Sequence, residues 1–220
     1  MSGNFCANDI TNQVSGIPPS ILKTLNIRIP IDRSKGLTET GRAVVNEMLQ
    51  MGMIVDLTHC TKVARDEVFC INRSRGGSMR PLVFSHNGIR ELCYIENEDA
   101  REMNPDNEEI LKIKECNGVI GLILDNYWLF GQEEKFLQYN PALSHLISTI
   151  KYIKLLTGSY DNIAIGTDYD GFTDPSDDLK DYSRMPYFTK AMINSGIPKE
   201  DVKKILGGNA MRVLREGWGS

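Results

Sequence analysis

The run GVIGLIL at residues 118–124 is the stretch of sequence that most directly indicates the fold. It is apolar almost throughout, whereas a strand with one face in water alternates apolar and polar residues. MIVDL at 53–57 and PLVF at 81–84 share this character, and NIAIGTD at 162–168 is a fourth β-rich run. Nearly continuous apolar runs of this length are typical of strands that are buried on both faces of a parallel sheet.

Helical patterns occupy the segments between these runs. Apolar residues spaced three and four apart predict helices from Thr38 to Gly52, from Thr61 to Asn72, and over residues 106–116, 141–157, 186–195, 198–206 and 208–215. Consecutive βα units predict an α/β protein, either a doubly wound sheet or a (β/α)8 barrel, and the pattern leaves the strand order open. Residues 1–36 contain three prolines and are predicted to be irregular. The length suits one domain over residues 1–220.

The composition argues against several classes of protein. The chain has 220 residues, of which 41% are hydrophobic and 25% charged, as in ordinary globular proteins. A net charge of −4 without a basic run argues against a nucleic-acid partner. The longest apolar stretch is far shorter than the ~18–20 residues that span a bilayer, and the first residues lack a secretory signal pattern. With five cysteines and no CxxC pair, we expect a cytoplasmic protein with reduced thiols.

Polar residues follow these strands at their carboxyl ends. His59 follows the first run, His86 the second, and Asp168 with Asp170 the fourth. Active sites of α/β folds lie at the carboxyl ends of strands, so these side chains are expected on one rim. Imidazole and carboxylate together suit zinc or a similar divalent metal, which makes a hydroxide nucleophile available at neutral pH. The pattern indicates a candidate metal site.

Each of these residues also has a structural interpretation. A single histidine at a strand end is often only a hydrogen-bonded residue. Asp168 or Asp170 can brace a turn before Gly171 through bonds to its own backbone. His145 lies within a helical pattern and is interpreted as a surface or packing residue. Asp56 is expected to be a buried structural carboxylate or a hydrogen-bond acceptor behind the site.

Four blocks of this sequence resemble the membrane dipeptidase (renal dipeptidase) family of zinc metallopeptidases. The blocks are GLTETGRAVVNEMLQMGMIVDLTH (36–59), FSHN (84–87), IGTDYDG (165–171) and ILGGNAMRVL (205–214). They appear in the family's order and at plausible distances, with His86 placed 27 residues after His59. The likeness covers most of the chain, and residues 1–35 cannot be placed on the family.

The resemblance implies a metal-dependent hydrolase barrel of the (β/α)8 type with a binuclear zinc site. Family members hydrolyse dipeptides, including some with a D-amino acid or a dehydro residue at the C-terminal position, and some open β-lactam rings. Carried over to this sequence, His59 and His86 would bind the second zinc. Asp168 would bind the first zinc and act as the catalytic proton shuttle, and Asp170 would support the site.

The sequence departs from the family in its metal ligands. The family places a His-x-Asp pair on its first strand, a bridging Glu on a later strand and a further His that contacts substrate. Here no His precedes His59 and no Glu precedes Glu39. We therefore expect about the C-terminal half of the barrel, with impaired activity. It would work as a homo-oligomer or with a complementing N-terminal chain.

Two further questions stay open at this point. The family grips the substrate carboxylate with an Arg followed by an Asn. Arg101 is the best candidate for that role, but Glu102 follows it, and a solvated surface charge is an equal interpretation. The alternative function is a non-catalytic half-barrel remnant that acts as a binding or interaction protein, and another metal-dependent amidohydrolase is a lesser rival.

Overall fold

The computed structural model describes residues 35–94, 101–130, 142–171 and 175–218. Most of the segment predicted to be irregular, residues 1–34, lies outside the described residues. The chain divides into two compact units. The first comprises Met1–Met51 with His59–Met79, and the second comprises Gly52–Thr58 with Arg80–Ser220. The single domain over residues 1–220 stays a prediction.

The described part of the first unit contains two helices, α1 (Glu39–Gln50) and α2 (Lys62–Ser74), which pack against each other. Each begins after a threonine whose Oγ1 accepts a hydrogen bond from a backbone N–H in the first turn. Thr38 accepts from Gly41 at 2.9 Å, and Thr61 accepts from Ala64 at 3.3 Å. Both helices and both caps agree with the sequence prediction.

The second unit is built on a parallel sheet of four strands in the order β1-β2-β3-β4. The strands are β1 (Val55–Asp56), β2 (Leu82–Asn87), β3 (Val119–Leu122) and β4 (Ile163–Ile165). Leu82, Phe84 and Ile120 are fully buried, as the apolar runs indicated. The α/β class with a parallel sheet is confirmed, and the sequential strand order answers what the pattern left open.

Helices follow the strands in the second unit and supply its outer layers. They are α3 (Asn107–Glu115), α4 (Asn126–Phe130), α5 (Ala142–Thr157), α6 (Met185–Asn194), α7 (Lys199–Lys203) and α8 (Asn209–Trp218). Short 3-10 turns lie at Arg90–Leu92, Asp177–Leu179 and Tyr182–Arg184, and a π turn covers Lys204–Gly208. Helix α3 packs against β3 and α5, while Val213 of α8 contacts Val119 and Ala164 in a buried cluster.

The strands are shorter than their apolar runs. Of the predicted run 53–59 only Val55–Asp56 is paired, and of the run 162–168 only Ile163–Ile165 is paired. Backbone hydrogen bonds to the neighbouring strand continue one residue further in each case, since Leu57 N–H donates to the Val83 carbonyl at 2.8 Å and Gly166 N–H donates to the Leu122 carbonyl at 3.0 Å. The helix predictions hold to within a few residues, with α8 extending to Trp218 rather than 215.

Among the described helices, none combines the length and the apolar character that crossing a bilayer requires. The four cysteines that the structure describes form no disulfide with one another.

Candidate active site

A β-bulge in β2 shapes the carboxyl edge of the sheet. Phe84 pairs with Ile120, but the next paired residue on β2 is Asn87, opposite Leu122. Three steps along β2 therefore match two steps along β3, and the extra residue falls at Ser85 and His86. Bulges bend a strand and turn its side chains to new directions, and they are common beside active sites.

Two glycines make room for this bulge. The carbonyl oxygen of Ser85 lies in the space that a Cβ atom would need at Gly121 on β3 and at Gly166 just after β4. A Cβ at Gly166 would also stand 3.0 Å from the Cα of His86. Only residues without a side chain allow this close backbone approach, so the bulge lies directly against β3 and the end of β4.

The result is a pair of chemically active side chains from strands that are not neighbours. Nε2 of His86 lies 3.9 Å from Oδ2 of Asp168, although β3 separates β2 from β4. The two side chains are 20% and 29% exposed. The structure thus brings together two of the residues that the sequence singled out, and both remain accessible from solvent.

The backbone around Asp168 forms a tight turn. Asp168 and Asp170 have φ angles of 52° and 67°, in the left-handed region where aspartate is tolerated better than most residues. The Gly171 N–H donates to the Asp168 carbonyl at 2.9 Å. This bond joins backbone atoms only, so bracing of the turn by the Asp168 side chain stays a prediction. The Asp168 carboxylate faces His86.

Behind His86, a set of hydrogen bonds holds the bulge in place. The Asp56 carboxylate accepts from the backbone N–H groups of Thr58 and Ser85, both at 3.1 Å. Asp56 is thus a hydrogen-bond acceptor, as expected, but it is exposed rather than buried. Of the two alternatives for Asp56, the hydrogen-bond acceptor agrees with the structure and the buried carboxylate does not.

Sequence reasoning assigned no role to Thr58, Ser85 or Asn87. The Ser85 hydroxyl lies 2.8 Å from Nδ1 of His86, and Thr58 contacts both Ser85 and Asn87. The available signal was that these residues are polar at the ends of strands that are otherwise apolar. Their roles depend on the bulge, and no sequence pattern predicts that bulge.

Arg101 lies in a segment that is anchored to the end of β2. Asn87 Nδ2 donates to the Met103 carbonyl at 3.0 Å, and Oδ1 of the fully buried Asn104 accepts from the Gly88 N–H at 2.9 Å. Arg101 itself is half-buried and its Nε donates to the Arg90 carbonyl at 3.2 Å. The predicted substrate contact of Arg101 stays a prediction.

His59 belongs to the first compact unit, where its side chain is exposed and its φ angle is 65°. Its predicted role as a metal ligand stays a prediction. His145 is half-buried on α5, and burial lowers the pKa of its imidazole.

A mostly apolar groove of about 720 Å³ begins next to Asp168. Thr167 lines it together with Tyr182, whose ring makes an edge-to-face contact with Tyr169. Burial, aided by the negative charge of Asp181, raises the pKa of Tyr169 to about 12, and its hydroxyl donates to the Leu179 carbonyl. The other walls of the groove are mostly aliphatic, with Ile165, Met185 and Leu206 among the lining residues.

His86 and Asp168 are of the residue types that bind zinc, but two ligands are too few for a zinc site. Imidazole nitrogen and carboxylate oxygen are both zinc ligands, with bonds of about 2.0–2.2 Å. At tetrahedral angles two ligand atoms of one zinc ion stand about 3.4 Å apart, so the 3.9 Å between these two is somewhat wider than one ion requires. Zinc needs at least three protein ligands. Within the described ranges, no group of three His, Cys, Asp or Glu side chains is placed to hold an ion.

Comparison with known proteins decides the family. The model of the membrane dipeptidase family, peptidase family M19, matches residues 24–217. The chain belongs to this family. The resemblance carried by the four sequence blocks is thereby confirmed.

Curated relatives in the membrane dipeptidase family are longer proteins. Dipeptidase aclJ of Aspergillus oryzae is 29% identical over 182 residues, which cover 83% of this chain and 39% of aclJ. Dipeptidase tcpJ of Claviceps purpurea is 30% identical over 181 residues, covering 82% of this chain and 38% of tcpJ. The chain therefore spans about two fifths of the length of these relatives.

Solved structures agree on the fold. The metallopeptidase dipeptidase AC superposes with a TM-score of 0.71 at 22% identity, covering 84% of this chain and 50% of that one. A metallopeptidase from Rhodobacter sphaeroides, solved with a phosphinate mimic of the dipeptide L-Ala-D-Ala, gives a TM-score of 0.70 at 23% identity. It covers 83% of this chain and 48% of its own. At these identities the likeness shows a shared architecture.

Proposed function

We propose that this chain forms the His86–Asp168 part of a metal-dependent dipeptidase site. The observation that carries the proposal is the 3.9 Å separation between His86 Nε2 and Asp168 Oδ2. Strand pairing does not require this approach, since β2 and β4 are not neighbours. It depends on a bulge and two glycines that together bring the imidazole to the carboxylate.

The roles follow from the chemistry of the two groups. His86 Nε2, together with His59, would hold the second zinc ion of the family's site, and Asp168 would hold the first, with the two ions side by side at this pair of side chains. When bound, zinc would act as a Lewis acid and lower the pKa of its bound water to ~7. The Asp168 carboxylate oxygen that does not bind zinc would accept a proton and return it to a leaving amine, which is the work of a proton shuttle.

The proposed substrate is a dipeptide. The Rhodobacter sphaeroides metallopeptidase binds a phosphinate mimic of L-Ala-D-Ala, which makes L-Ala-D-Ala a reasonable first test substrate. The apolar groove beside Asp168 is large enough to take side chains of this size. Arg101 is the proposed partner of the substrate carboxylate.

We further propose that the site is binuclear and is completed by donors beyond this pair. His59, His86 and Asp168 are three donors divided between two ions, which is fewer than zinc needs at either position, so these residues alone would give impaired activity. A second copy of the chain, or a complementing chain with the N-terminal barrel ligands, would supply the missing donors to a half-barrel of this kind. The alternative function is a non-catalytic module that retains weak metal binding.

Zinc titration by calorimetry tests the proposal, with the full chain dialysed free of metal. His86→Ala and Asp168→Asn are expected to lower zinc affinity at least ~10-fold, because each removes a ligand. His145→Ala is the matched control and should leave the affinity unchanged. An equal loss in all three variants, or no zinc binding by the wild type, contradicts the proposed site.

Hydrolysis of L-Ala-D-Ala in the presence of zinc separates the two functions. Release of free alanine that disappears in Asp168→Asn supports the dipeptidase. Tight zinc binding without any turnover, in a sample whose mass in solution is that of one chain, supports the non-catalytic module instead.

A further inference from the structure

A chain of hydrogen bonds runs from Met103 to His86 through Asn87, Thr58 and Ser85. It begins at the Asn87 amide, where Nδ2 donates to the Met103 carbonyl at 3.0 Å. A carbonyl oxygen only accepts, so this bond determines which end of the amide is nitrogen. Oδ1 of Asn87 must then be the atom that lies 3.0 Å from Oγ1 of Thr58.

The next link follows from the number of protons that a hydroxyl carries. An amide oxygen has no proton, so Thr58 Oγ1 donates its single proton to Asn87. Thr58 is then left with lone pairs only. The lone pairs of Thr58 face two donors on Ser85, the backbone N–H at 2.8 Å, which is shared with the Asp56 carboxylate, and the hydroxyl at 3.2 Å. The backbone N–H of His86 is a more distant donor at 3.5 Å. Thr58 and Asn87 are buried, with 9% and 5% exposure, so water cannot easily replace either partner.

The last link reaches the imidazole. Because the Ser85 hydroxyl donates its proton to Thr58, the group presents a lone pair to His86 Nδ1, which lies 2.8 Å away. A nitrogen that faces a lone pair must itself carry the hydrogen. Nδ1 of the neutral ring is therefore the protonated nitrogen, and Nε2 keeps its lone pair.

We infer that Asn87, Thr58 and Ser85 together set the tautomer of His86, and so make Nε2 the ligand atom that faces Asp168. The inference rests on the proposed function insofar as it treats His86 as a metal ligand. A metal ion binds the ring nitrogen that carries no hydrogen. The hydrogen bond made by the other ring nitrogen decides which of the two nitrogens carries the hydrogen. Ser85 and Thr58 are positioning residues in this scheme, since they act on the site only through His86.

The tautomer can be read without metal or substrate. Long-range ¹H–¹⁵N correlation spectra of the full chain, with labelled histidine and neutral imidazole, distinguish hydrogen on Nδ1 from hydrogen on Nε2. We expect wild-type His86 to carry hydrogen on Nδ1. Thr58→Val removes the acceptor of the Ser85 proton at nearly constant shape, so Ser85 should donate to Nδ1 and the hydrogen should move to Nε2. Thr58→Ser restores the hydroxyl and should restore the wild-type signal.

Ser85→Ala gives an independent test should Thr58→Val not fold. Without the serine hydroxyl the ring loses its preference, so both tautomers should be visible, and zinc affinity should fall ~10-fold as it does when the partner of a ligating histidine is removed. The His145 signal is the internal reference and should not change in any variant.

Hydrogen on Nε2 in the wild type, or a Thr58→Val spectrum identical to the wild type, overturns the inference. The spectra are recorded without metal, so neither result changes what the zinc titration is expected to show. A failure of the tautomer assignment is thus distinguishable from a failure of the proposed function.

Discussion

The carbonyl oxygen of Ser85 lies where the β-carbon of any other residue at position 166 would stand. This contact between Ser85 and Gly166 lets the end of β2 approach the end of β4 across β3. The approach of His86 to Asp168 depends on it. A glycine thus decides whether two polar side chains on non-adjacent strands can act as one site.

Gly166→Ala tests this contact directly. The added methyl group meets backbone atoms of Ser85 and His86 that cannot rotate away, so we expect a loss of about 1–3 kcal/mol in the free energy of unfolding. Urea denaturation measures the loss. Gly76→Ala is the control, because nothing lies within 4 Å of its added atom, and it should change stability by less than about 0.5 kcal/mol. Equal stability of the two variants would show that Ser85 does not lie against Gly166.

Asn209→Ala should destabilise the second unit. Its Nδ2 donates to the carbonyls of Tyr160 and Ile163, both at 2.7 Å, and the residue is only 2% exposed. Removing the amide leaves buried carbonyls without this donor, which costs about 1–3 kcal/mol. Thermal and urea unfolding measure the cost. The exposed Asn194 on α6 provides the control, since Asn194→Ala removes no buried amide.

Stability at mildly acidic pH should depend on His145. Burial lowers the pKa of this imidazole in the folded protein, so the unfolded chain binds the proton more readily, with a pKa of about 6.5. The contribution of His145 is complete above about pH 6.5 and is lost as the pH falls through the folded pKa. His145→Gln should therefore lose less stability than the wild type between about pH 7.5 and about pH 5.5, measured as urea midpoints. Ser148→Ala on the same helix should follow the wild type, and identical slopes for wild type and His145→Gln would refute the prediction.

At alkaline pH, ionisation of Tyr169 should make the protein less stable as the pH rises, which is the opposite direction to the effect of His145. Its pKa is raised to about 12, mainly by burial, whereas an unfolded tyrosine ionises near about 10. The folded state keeps a proton that the unfolded chain releases, so stability falls as the pH rises above about 10. The stability difference between wild type and Tyr169→Phe should accordingly narrow between about pH 9 and about pH 11. A constant difference for Tyr169→Phe across this range would count against a raised pKa.

Local sequence was enough to predict most helix starts. Thr38, Thr61 and Asp106 each cap a helix through their own side chains, and Asp106 forms a capping box with Glu109. These interactions join residues three apart, so they can be recognised without knowing the fold. The same holds for the left-handed glycines that follow α1 and α5, at positions 52 and 158.

By itself, the sequence determined the α/β class, the parallel sheet and, through four blocks in order, membership of the membrane dipeptidase family. It also indicated His86 and Asp168, since polar residues at the ends of apolar strands can be recognised from the sequence. The tertiary structure alone decided that these two residues meet, because their approach depends on a bulge at Ser85 and on close backbone contacts at Gly121 and Gly166. Such contacts join segments that lie 36 and 81 residues apart, and hydrogen-bond direction across them is set by packing, which no local pattern records.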